Sequence, residues 1–276
     1  MSGWSLFLWS VFPYICLLIL VVGTIYRYHC NQLSWTSKSS ELLEKRLLSV
    51  GSTLFHWGLV FVIAGHVAGL LFPIEWYSSI GISPELYHTG AEVLGGFFGL
   101  LAFAGISVLL YRRITNRRVR QNSDLSDFVT DGLLWIVILL GLLVTIGYST
   151  IYGAYEYRAT VGPWIRSVIV LQPDAGLMAQ VPVLLQVHII TAFILFAVSP
   201  FTRLVHLYSL PLTYLMRAPL QYRARDRFIR VPVQPQPMIP PKRPVFPEEP
   251  VLPKTERVPE PVAAAERELA ATRRSR

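Results

Sequence analysis

The sequence predicts an all-α integral membrane protein, a bundle of five transmembrane helices with its N-terminus outside and its C-terminus in the cytoplasm. Three observations predict this fold. Of the 276 residues, 53% are hydrophobic and 15% are charged, whereas soluble domains carry about 25% charged residues. Five long stretches contain no Asp, Glu, Lys or Arg, and basic residues cluster in alternate connecting segments. This composition excludes a soluble globular enzyme, a disordered chain and a disulfide scaffold.

Each uncharged stretch is close to or longer than the ~20 residues that a helix needs to cross a bilayer. Backbone groups inside a bilayer must bond internally, so these stretches are expected to be helical. The first could instead be a signal peptide, but it has no basic n-region and no small-residue cleavage site before Arg27, so we expect a retained helix. The predicted helices cover residues 4–26, 51–73, 89–111, 130–152 and 183–207.

Basic residues predict the orientation of the bundle. The segment between the fourth and fifth helices holds only Arg158 and Arg166, whereas the opposite side is strongly basic. Because positive residues stay on the cytoplasmic side, the N-terminus is predicted to lie outside. The net charge of +8 then reflects topology and lipid surroundings, and no nucleic-acid partner is expected. The basic residues of the cytoplasmic side are Arg27, Lys38, Lys45, Arg46, Arg112, Arg113, Arg117, Arg118, Arg120, Arg217, Arg223, Arg225, Arg227 and Arg230.

Two segments are predicted to lie outside the bilayer. Residues 31–50 suggest a short cytoplasmic helix near the membrane surface. Residues 231–276 hold 11 of the 20 prolines, which is typical of an extended, mobile tail, with a short helix possible at 262–274. We therefore divide the chain into a membrane domain, 1–225, and a proline-rich cytoplasmic tail, 226–276.

Four of the six histidines lie in only two of the predicted helices, and ionisable residues inside a membrane usually have a function. His56 and His66 are ten residues apart in the second helix, about 15 Å; His188 and His206 are eighteen apart in the fifth, about 27 Å and five whole turns. Antiparallel packing would place His66 opposite His188 and His56 opposite His206. Two imidazoles at each of two levels predict two stacked, non-covalent b-type haems. The unequal spacings require tilt or bending, for which Pro200 is a candidate kink.

Other interpretations of the histidines remain open at this point. They could be hydrogen-bonded core residues, or ligands of zinc or copper, although such metals favour ligands clustered at one level. Glycines in the second and third helices offer space for a macrocycle, but helix packing uses the same residues. Cys16 and Cys30 form no CxxCH motif, so the sequence gives no support for covalent c-type haem.

Further candidates lie near the two levels. Arg203, one turn before His206, and Arg112, at the end of the third helix, are suited to pairing with haem carboxylates, unless they reach the lipid headgroups instead. His88 opens the third helix next to Tyr87, near the outer level. It could accept a proton from a quinol or be an ordinary interfacial residue.

The order of these elements resembles the gamma subunit of membrane-bound respiratory nitrate reductase, a diheme cytochrome b. The resemblance covers residues 5–225, and the two-histidine signatures make it specific. The matching segments are YRY at 26–28, SWTSKSSELLEKR, LFHWGLVFVIAGHVAGLLFP, GGFFGLLAFAG followed by YRR, and FTRLVHLYSLPLTYLMR.

The resemblance implies a function for each histidine pair. His66 and His188 would hold the outer haem, and His56 and His206 the inner one. Menaquinol or ubiquinol would be oxidised near the outer haem, with Tyr87, His88 and Gly65 as site residues; some family members carry a lysine near Tyr87 and His88. Electrons would pass to an iron–sulfur beta subunit and then to a molybdenum-containing alpha subunit that reduces nitrate. The protein would lie in the inner (cytoplasmic) membrane and generate proton-motive force.

Two alternative functions remain. One is a diheme quinol-oxidising subunit of another cytoplasmic reductase, for example in sulfur metabolism. The other is a non-catalytic membrane anchor or a transporter. Transporters usually show inverted repeats and broken helices, which are not evident in this sequence.

Overall fold

The computed structural model describes residues 3–35 and 39–208, and every regular element in these ranges is helical. Five helices are long and apolar enough to cross a membrane, which confirms the predicted five-helix architecture. The predicted tail at 226–276, its helix at 262–274 and the boundary at 225 lie outside the described residues. The spanning helices are α1 (Gly3–Cys30), α2 (Arg46–Leu71), α3 (Pro84–Thr115), α4 (Leu125–Tyr152) and α5 (Val183–Phe201).

Short helices connect the spans, and two spans contain π-helical segments. The π segments are Phe7–Val11 in α1 and Leu143–Tyr148 in α4. The connecting α-helices are Ile74–Ser79, Arg117–Gln121 and Val161–Ile169, and the 3-10 turns are Gln32–Ser34, Tyr157–Ala159 and Ala175–Gln180.

The most extensive helix contact joins α2 to α3, while α5 packs against α1 and α4. Two glycines make the α2–α3 contact possible. A Cβ added at Gly58 would lie 2.5 Å from the backbone nitrogen of Ala102, and one added at Gly105 would overlap the backbone of Phe55. These two glycines therefore serve close helix packing rather than space for a macrocycle.

α3 and α4 begin about five residues earlier than the charge pattern predicts. Ser83 caps α3 by accepting a hydrogen bond from the Leu86 amide at 3.2 Å, and α4 begins with a capping box of Asp124 and Asp127. Asp127, which lies inside the early part of α4, is paired with Arg113 and Arg203. Tyr87 therefore lies in the first turn of α3, and His88 follows it directly.

The predicted surface helix at 31–50 is wrong. In its described part the chain forms only a 3-10 turn at Gln32–Ser34 before α2 begins at Arg46. Glu44 instead accepts hydrogen bonds from the Leu47 and Leu48 amides at 2.9 and 3.3 Å. These bonds satisfy N–H groups that the first turn of α2 leaves free.

The helix predicted over 183–207 ends earlier than predicted, and it breaks at the candidate kink site Pro200. The α-helical part of α5 ends at Val198, a 3-10 turn follows at Ser199–Phe201, and a second turn covers Arg203–Tyr208. The break coincides with Pro200, which cannot donate a backbone hydrogen bond. Arg27 donates to the carbonyls of Pro200 and Thr202 at 2.6 and 2.7 Å, which satisfies backbone groups that the break leaves free.

Candidate functional site

The four intramembrane histidines form two pairs across the bundle. His66 on α2 and His188 on α5 have ring centroids 6.2 Å apart, with 34° between the planes. His56 on α2 and His206 on the 3-10 turn after α5 have centroids 6.4 Å apart, with 53° between the planes. The predicted partners are therefore neighbours in the structure. Ten residues of α2 separate the two levels, or about 15 Å.

All four imidazoles use Nδ1 for a hydrogen bond to a backbone carbonyl. A carbonyl oxygen only accepts, so Nδ1 carries the proton and Nε2 keeps its lone pair in the neutral ring. Metal-binding histidines are held in this way, because the second hydrogen bond fixes the tautomer and the ring orientation. The bonds run from His56 to Ser52 (2.8 Å), from His66 to Val62 (2.7 Å), from His188 to Val137 (3.1 Å) and from His206 to Arg203 (2.5 Å).

The ring separations fit one metal ion between two imidazoles. Two metal–nitrogen distances of ~2 Å each, together with ~1.1 Å from each nitrogen to the centre of its ring, give a centroid separation of about 6.2 Å. Zinc sites take about three or four protein ligands, and the described ranges contain no cluster of three or more His, Cys, Asp or Glu that could hold a metal. A haem iron needs only axial ligands from the protein, so each pair fits a haem.

A glycine of α4 makes room for the His188 ring. A Cβ added at Gly141 would lie 3.2 Å from His188 Cε1, and Val137, one turn earlier, accepts the Nδ1–H bond of the same ring. Sequence reasoning missed Gly141, although it is a lone small residue in the bulky run ILLGLLV. Beside His66, a Cβ at Gly65 would meet no atom within 4 Å, so Gly65 borders open space, and its role in quinol binding stays a prediction.

Arg203 has a carboxylate partner inside the protein. Its guanidinium pairs with Asp127, which is 1% exposed, and its carbonyl accepts the hydrogen bond of His206. Arg113 contacts the same Asp127 at 3.2 Å and Asp131 at 2.7 Å. This ion-pair network holds the turn that carries His206. A contact between Arg203 and a haem carboxylate stays a prediction.

Asp127 and Asp131 were missed at the sequence level. Their signal is the spacing of one helical turn at the start of α4, on the side where the arginines gather.

Arg112 is 3% exposed and anchors the segment before α2. It donates to Oε2 of Glu44 at 2.7 Å, to the Glu44 carbonyl at 2.6 Å, and to the side chain and carbonyl of Ser40 at 3.0 Å each. Hydrogen bonds from the Leu47 amide and from Arg112 hold the pKa of Glu44 below its ordinary value, against the opposing effect of desolvation. A haem contact of Arg112 stays a prediction beside this structural role.

The opposite end of the bundle carries a polar group that we call the tyrosine cluster, made of Tyr77, Tyr87, Tyr157, His88, Glu156 and Arg158. His88 Nε2 lies 2.7 Å from Oε2 of Glu156. Arg158 donates to Glu156 at 2.9 Å, is 1% exposed, and lies 3.9 Å from the ring centre of Tyr87. Sequence reasoning found Tyr87 and His88 but missed their charged partners, which lie in the segment after α4 ends at Tyr152.

Gly69 of α2 connects the tyrosine cluster with the His66–His188 level. A Cβ added at Gly69 would lie 2.6 Å from the Tyr157 hydroxyl and 3.0 Å from the Tyr87 hydroxyl. Since Gly69 is three residues after His66, the cluster lies about one helical turn beyond that level.

The fold and the histidine pairs define a multi-pass membrane protein with two sites suited to bis-histidine haems. The sequence profile of the nitrate reductase gamma subunit matches residues 5–225. The chain therefore belongs to the nitrate reductase gamma subunit family, which confirms the resemblance noted in the sequence and makes it a membrane electron-transfer subunit of an oxidoreductase complex with other subunits.

Individual relatives agree with this assignment. The nitrate reductase gamma chain of Bacillus subtilis (strain 168) is 47% identical over 219 residues, covering 79% of this chain and 98% of the relative. The respiratory nitrate reductase 2 gamma chain of Escherichia coli (strain K12) is 35% identical over 215 residues, covering 77% and 94%. The nitrate reductase-like protein NarX of Mycobacterium tuberculosis (strain H37Rv) is 42% identical over 222 residues, which are 80% of this chain and 34% of that longer protein.

Proposed function

We propose that this chain oxidises quinol near the His66–His188 level and passes the electrons through two b-type haems to a partner subunit. The observation that carries the proposal is the pair of cross-bundle histidine couples, 6.2 and 6.4 Å between ring centroids, each with Nδ1 bonded to a carbonyl. When bound, each haem supplies an iron that carries one electron at a time. His66 and His188 hold one haem, and His56 and His206 hold the other.

The quinol site lies beside the His66–His188 level. Tyr87, His88 and Gly65 line it, and His88 accepts a quinol proton because an imidazole can change its charge near neutral pH. Menaquinol and ubiquinol share the hydroxyl groups that such a site recognises. The open space beside Gly65 and the position of the tyrosine cluster one turn beyond His66 support this assignment.

The arginine-rich end of the bundle faces the cytoplasm in this proposal, so the N-terminus lies outside and the membrane is the inner membrane. An iron–sulfur beta subunit docks at that end and relays electrons to a molybdenum-containing alpha subunit. Membership of the nitrate reductase gamma family favours nitrate as the final acceptor over the acceptor of another reductase. Electrons move inward while protons leave outside, against about 2.3 kcal/mol per charge at 100 mV.

A pyridine haemochrome assay on the purified chain tests the haem assignment. We expect two haems per chain, both released by acid acetone because no CxxCH motif is present. One haem per chain, or haem that resists extraction, would contradict the proposal, and an anchor or a transporter would contain none.

Proteoliposomes that hold the complete complex test the direction of charge movement. With a membrane-permeant quinol and nitrate, the compartment that faces the N-terminus should become acidic. Acidification on the side of residues 112–120 would overturn the orientation. The identity of the co-purifying soluble subunits would distinguish nitrate reductase from another reductase.

A further inference from the structure

Glu156 is the carboxylate of the tyrosine cluster, and the proposed function leaves it without a role. Its Oε2 lies 2.7 Å from Nε2 of His88, and the two side chains are 36% and 20% exposed, respectively. A partly buried imidazole is thus joined to a carboxylate that reaches solvent. Such a contact can carry a proton from an enclosed site to water.

The surroundings keep Glu156 ionised. Partial burial raises the pKa of this carboxyl group, but hydrogen bonds from Arg158 and His88 bring it below the ordinary value of 4.5. Arg158 contributes two side-chain hydrogen bonds of 2.9 Å, from Nε to Oε1 and from Nη2 to Oε2. The Arg158 guanidinium, 1% exposed, is a permanent positive charge behind the carboxylate.

An ionised carboxylate only accepts hydrogen bonds, so neutral His88 must donate from Nε2. Its Nδ1 then carries the lone pair, and among the described residues Nδ1 of His88 makes no hydrogen bond. The same logic operates in catalytic triads, where a carboxylate fixes the tautomer of a histidine and stabilises the imidazolium that forms. His88 is therefore prepared to accept a proton at Nδ1.

The pair also lies in a suitable place. Tyr87 is adjacent to His88, Tyr157 is adjacent to Glu156, and the hydroxyls of both tyrosines contact Gly69 of α2. Gly69 follows His66 by three residues, which puts the pair about one turn from the level at which a quinol would deliver electrons.

We propose that Glu156 is a positioning residue for quinol oxidation, which orients His88 so that Nδ1 accepts the quinol proton. The inference rests on the proposed function. For each quinol O–H bond that breaks, the proton would pass to Nδ1 of His88 and one electron would leave to the one-electron acceptor that His66 and His188 would hold, which is a haem iron when haem is bound. Two such steps yield the quinone, two protons and two electrons. The imidazolium, stabilised by Glu156, returns each proton to water at the exposed edge of the carboxylate.

The pH dependence of this step is set by the titratable and charged groups that face His88 and Glu156. Glu156 faces His88 on α3 and Arg158 on the 3-10 turn, and His88 also faces Glu85 on its own helix. Burial raises the pKa of Tyr77 and of Tyr157, so both phenols stay neutral near pH 7. The phenol of Tyr87, whose ring lies beside the Arg158 guanidinium, is a further titratable neighbour.

The test measures how fast menadiol reduces the haems of the intact complex, by stopped flow, between about pH 5 and about pH 9. In the unmodified protein the rate should rise with pH, because only a neutral imidazole can accept the quinol proton. Glu156→Gln should lower the alkaline plateau by roughly ten- to a hundred-fold and move the rising limb to lower pH, because an amide stabilises the imidazolium less. Haem content and spectra should not change.

Two further variants keep the test decisive. Glu75→Gln removes an exposed carboxylate at the same end of the bundle and should change neither the rate nor its pH profile. Glu156→Asp keeps the charge, so the rising limb should stay at its original pH although the rate falls; it also replaces Glu156→Gln if that variant does not fold.

The outcomes separate the two proposals. If menadiol does not reduce the haems of the unmodified complex, the proposed function fails. If it does, and Glu156→Gln keeps both the rate and the pH profile, only the role of Glu156 is overturned. A Glu156→Gln profile that shifts together with that of Glu75→Gln would indicate a general effect of surface charge and would also overturn it.

Discussion

The two histidine pairs have similar ring separations, 6.2 and 6.4 Å, but are built in different ways. His66 and His188 both lie on regular α-helices, and the His188 ring packs against Gly141 of a third helix. The other pair takes His56 from α2 and His206 from a 3-10 turn beyond the break at Pro200. Helix geometry alone thus positions one pair, whereas the other depends on how a non-helical turn is held.

The turn of His206 is held by charge. His206 Nδ1 bonds to the carbonyl of Arg203, whose guanidinium pairs with the buried carboxylate of Asp127. For His188 the corresponding acceptor is the carbonyl of Val137, within the backbone of α4. A change of side-chain charge at Asp127 or Arg203 should therefore affect the pair of His56 and His206 and spare the pair of His66 and His188.

The largest effects are expected from the histidines themselves. His66→Ala or His188→Ala should remove one haem, and His56→Ala or His206→Ala the other, because each iron loses an axial ligand. Haem content per chain should fall from two to one, with the same spectral component lost in both members of a pair. Loss of the same component in His66→Ala and His206→Ala would break the pairing. His29→Ala, outside both pairs, should keep both haems.

Asp127→Asn should have the next largest effect, and it should act only at the level of His56 and His206. Removing a charge from a buried ion-pair network costs on the order of 3 kcal/mol, and Arg113 and Arg203 would lose the carboxylate that they share. We expect a lower unfolding temperature in detergent and a changed spectrum or potential of the haem at His56 and His206, with the other haem unaltered. Equal changes at both levels would show that the two histidine pairs do not differ in how they are held.

A surface pair provides the control for that experiment. Glu41 lies 3.2 Å from Lys45, and their side chains are 55% and 77% exposed. Glu41→Gln should cost less than about 1 kcal/mol and leave both haem spectra unchanged.

The sequence was informative about periodic features and less so about irregular ones. Apolar length predicts all five spans, and the spacing of His56 and His66 against His188 and His206 predicts the cross-bundle neighbours that the structure contains. The turn at Arg203–Tyr208 could not be predicted, since one proline shows where a helix breaks but not where the chain goes next.

The partners of charged residues could not be predicted from the sequence either. Asp127 meets Arg203 at a sequence separation of 76, and Glu156 meets His88 at a separation of 68. Only helix packing brings such residues together. The same difficulty explains why Arg112 and Arg203 could be assigned to haem carboxylates but not to Glu44 and Asp127.

Gly141→Ala tests the histidine pair that lies on regular α-helices, His66 and His188. The new Cβ would lie 3.2 Å from His188 Cε1, and the hydrogen bond from Nδ1 to the Val137 carbonyl limits how far the ring can move away. Overpacking of this kind costs about 1–3 kcal/mol. We expect weaker binding of the haem at His66 and His188, measured by haem loss during titration with apomyoglobin. Gly132→Ala on the same helix meets no atom within 4 Å and should behave like the unmodified protein. If the haem at His56 and His206 were weakened instead, Gly141 would not act on the His66–His188 level.

The smallest effect is expected at Glu44, which links the arginine-rich end to α2 without touching either histidine pair. Its pKa is lowered by the Leu47 amide and by Arg112, so its contribution to stability is present above the ordinary value of 4.5 and is lost as the pH falls below it. Glu44→Gln should therefore lower the unfolding temperature at pH 7, by less than Asp127→Asn does, and the difference should disappear in acid. Both haem spectra should stay unchanged, because Arg112 keeps Ser40 as a partner. A difference that persists below the pKa would mean that the glutamate acts through packing and not through its charge.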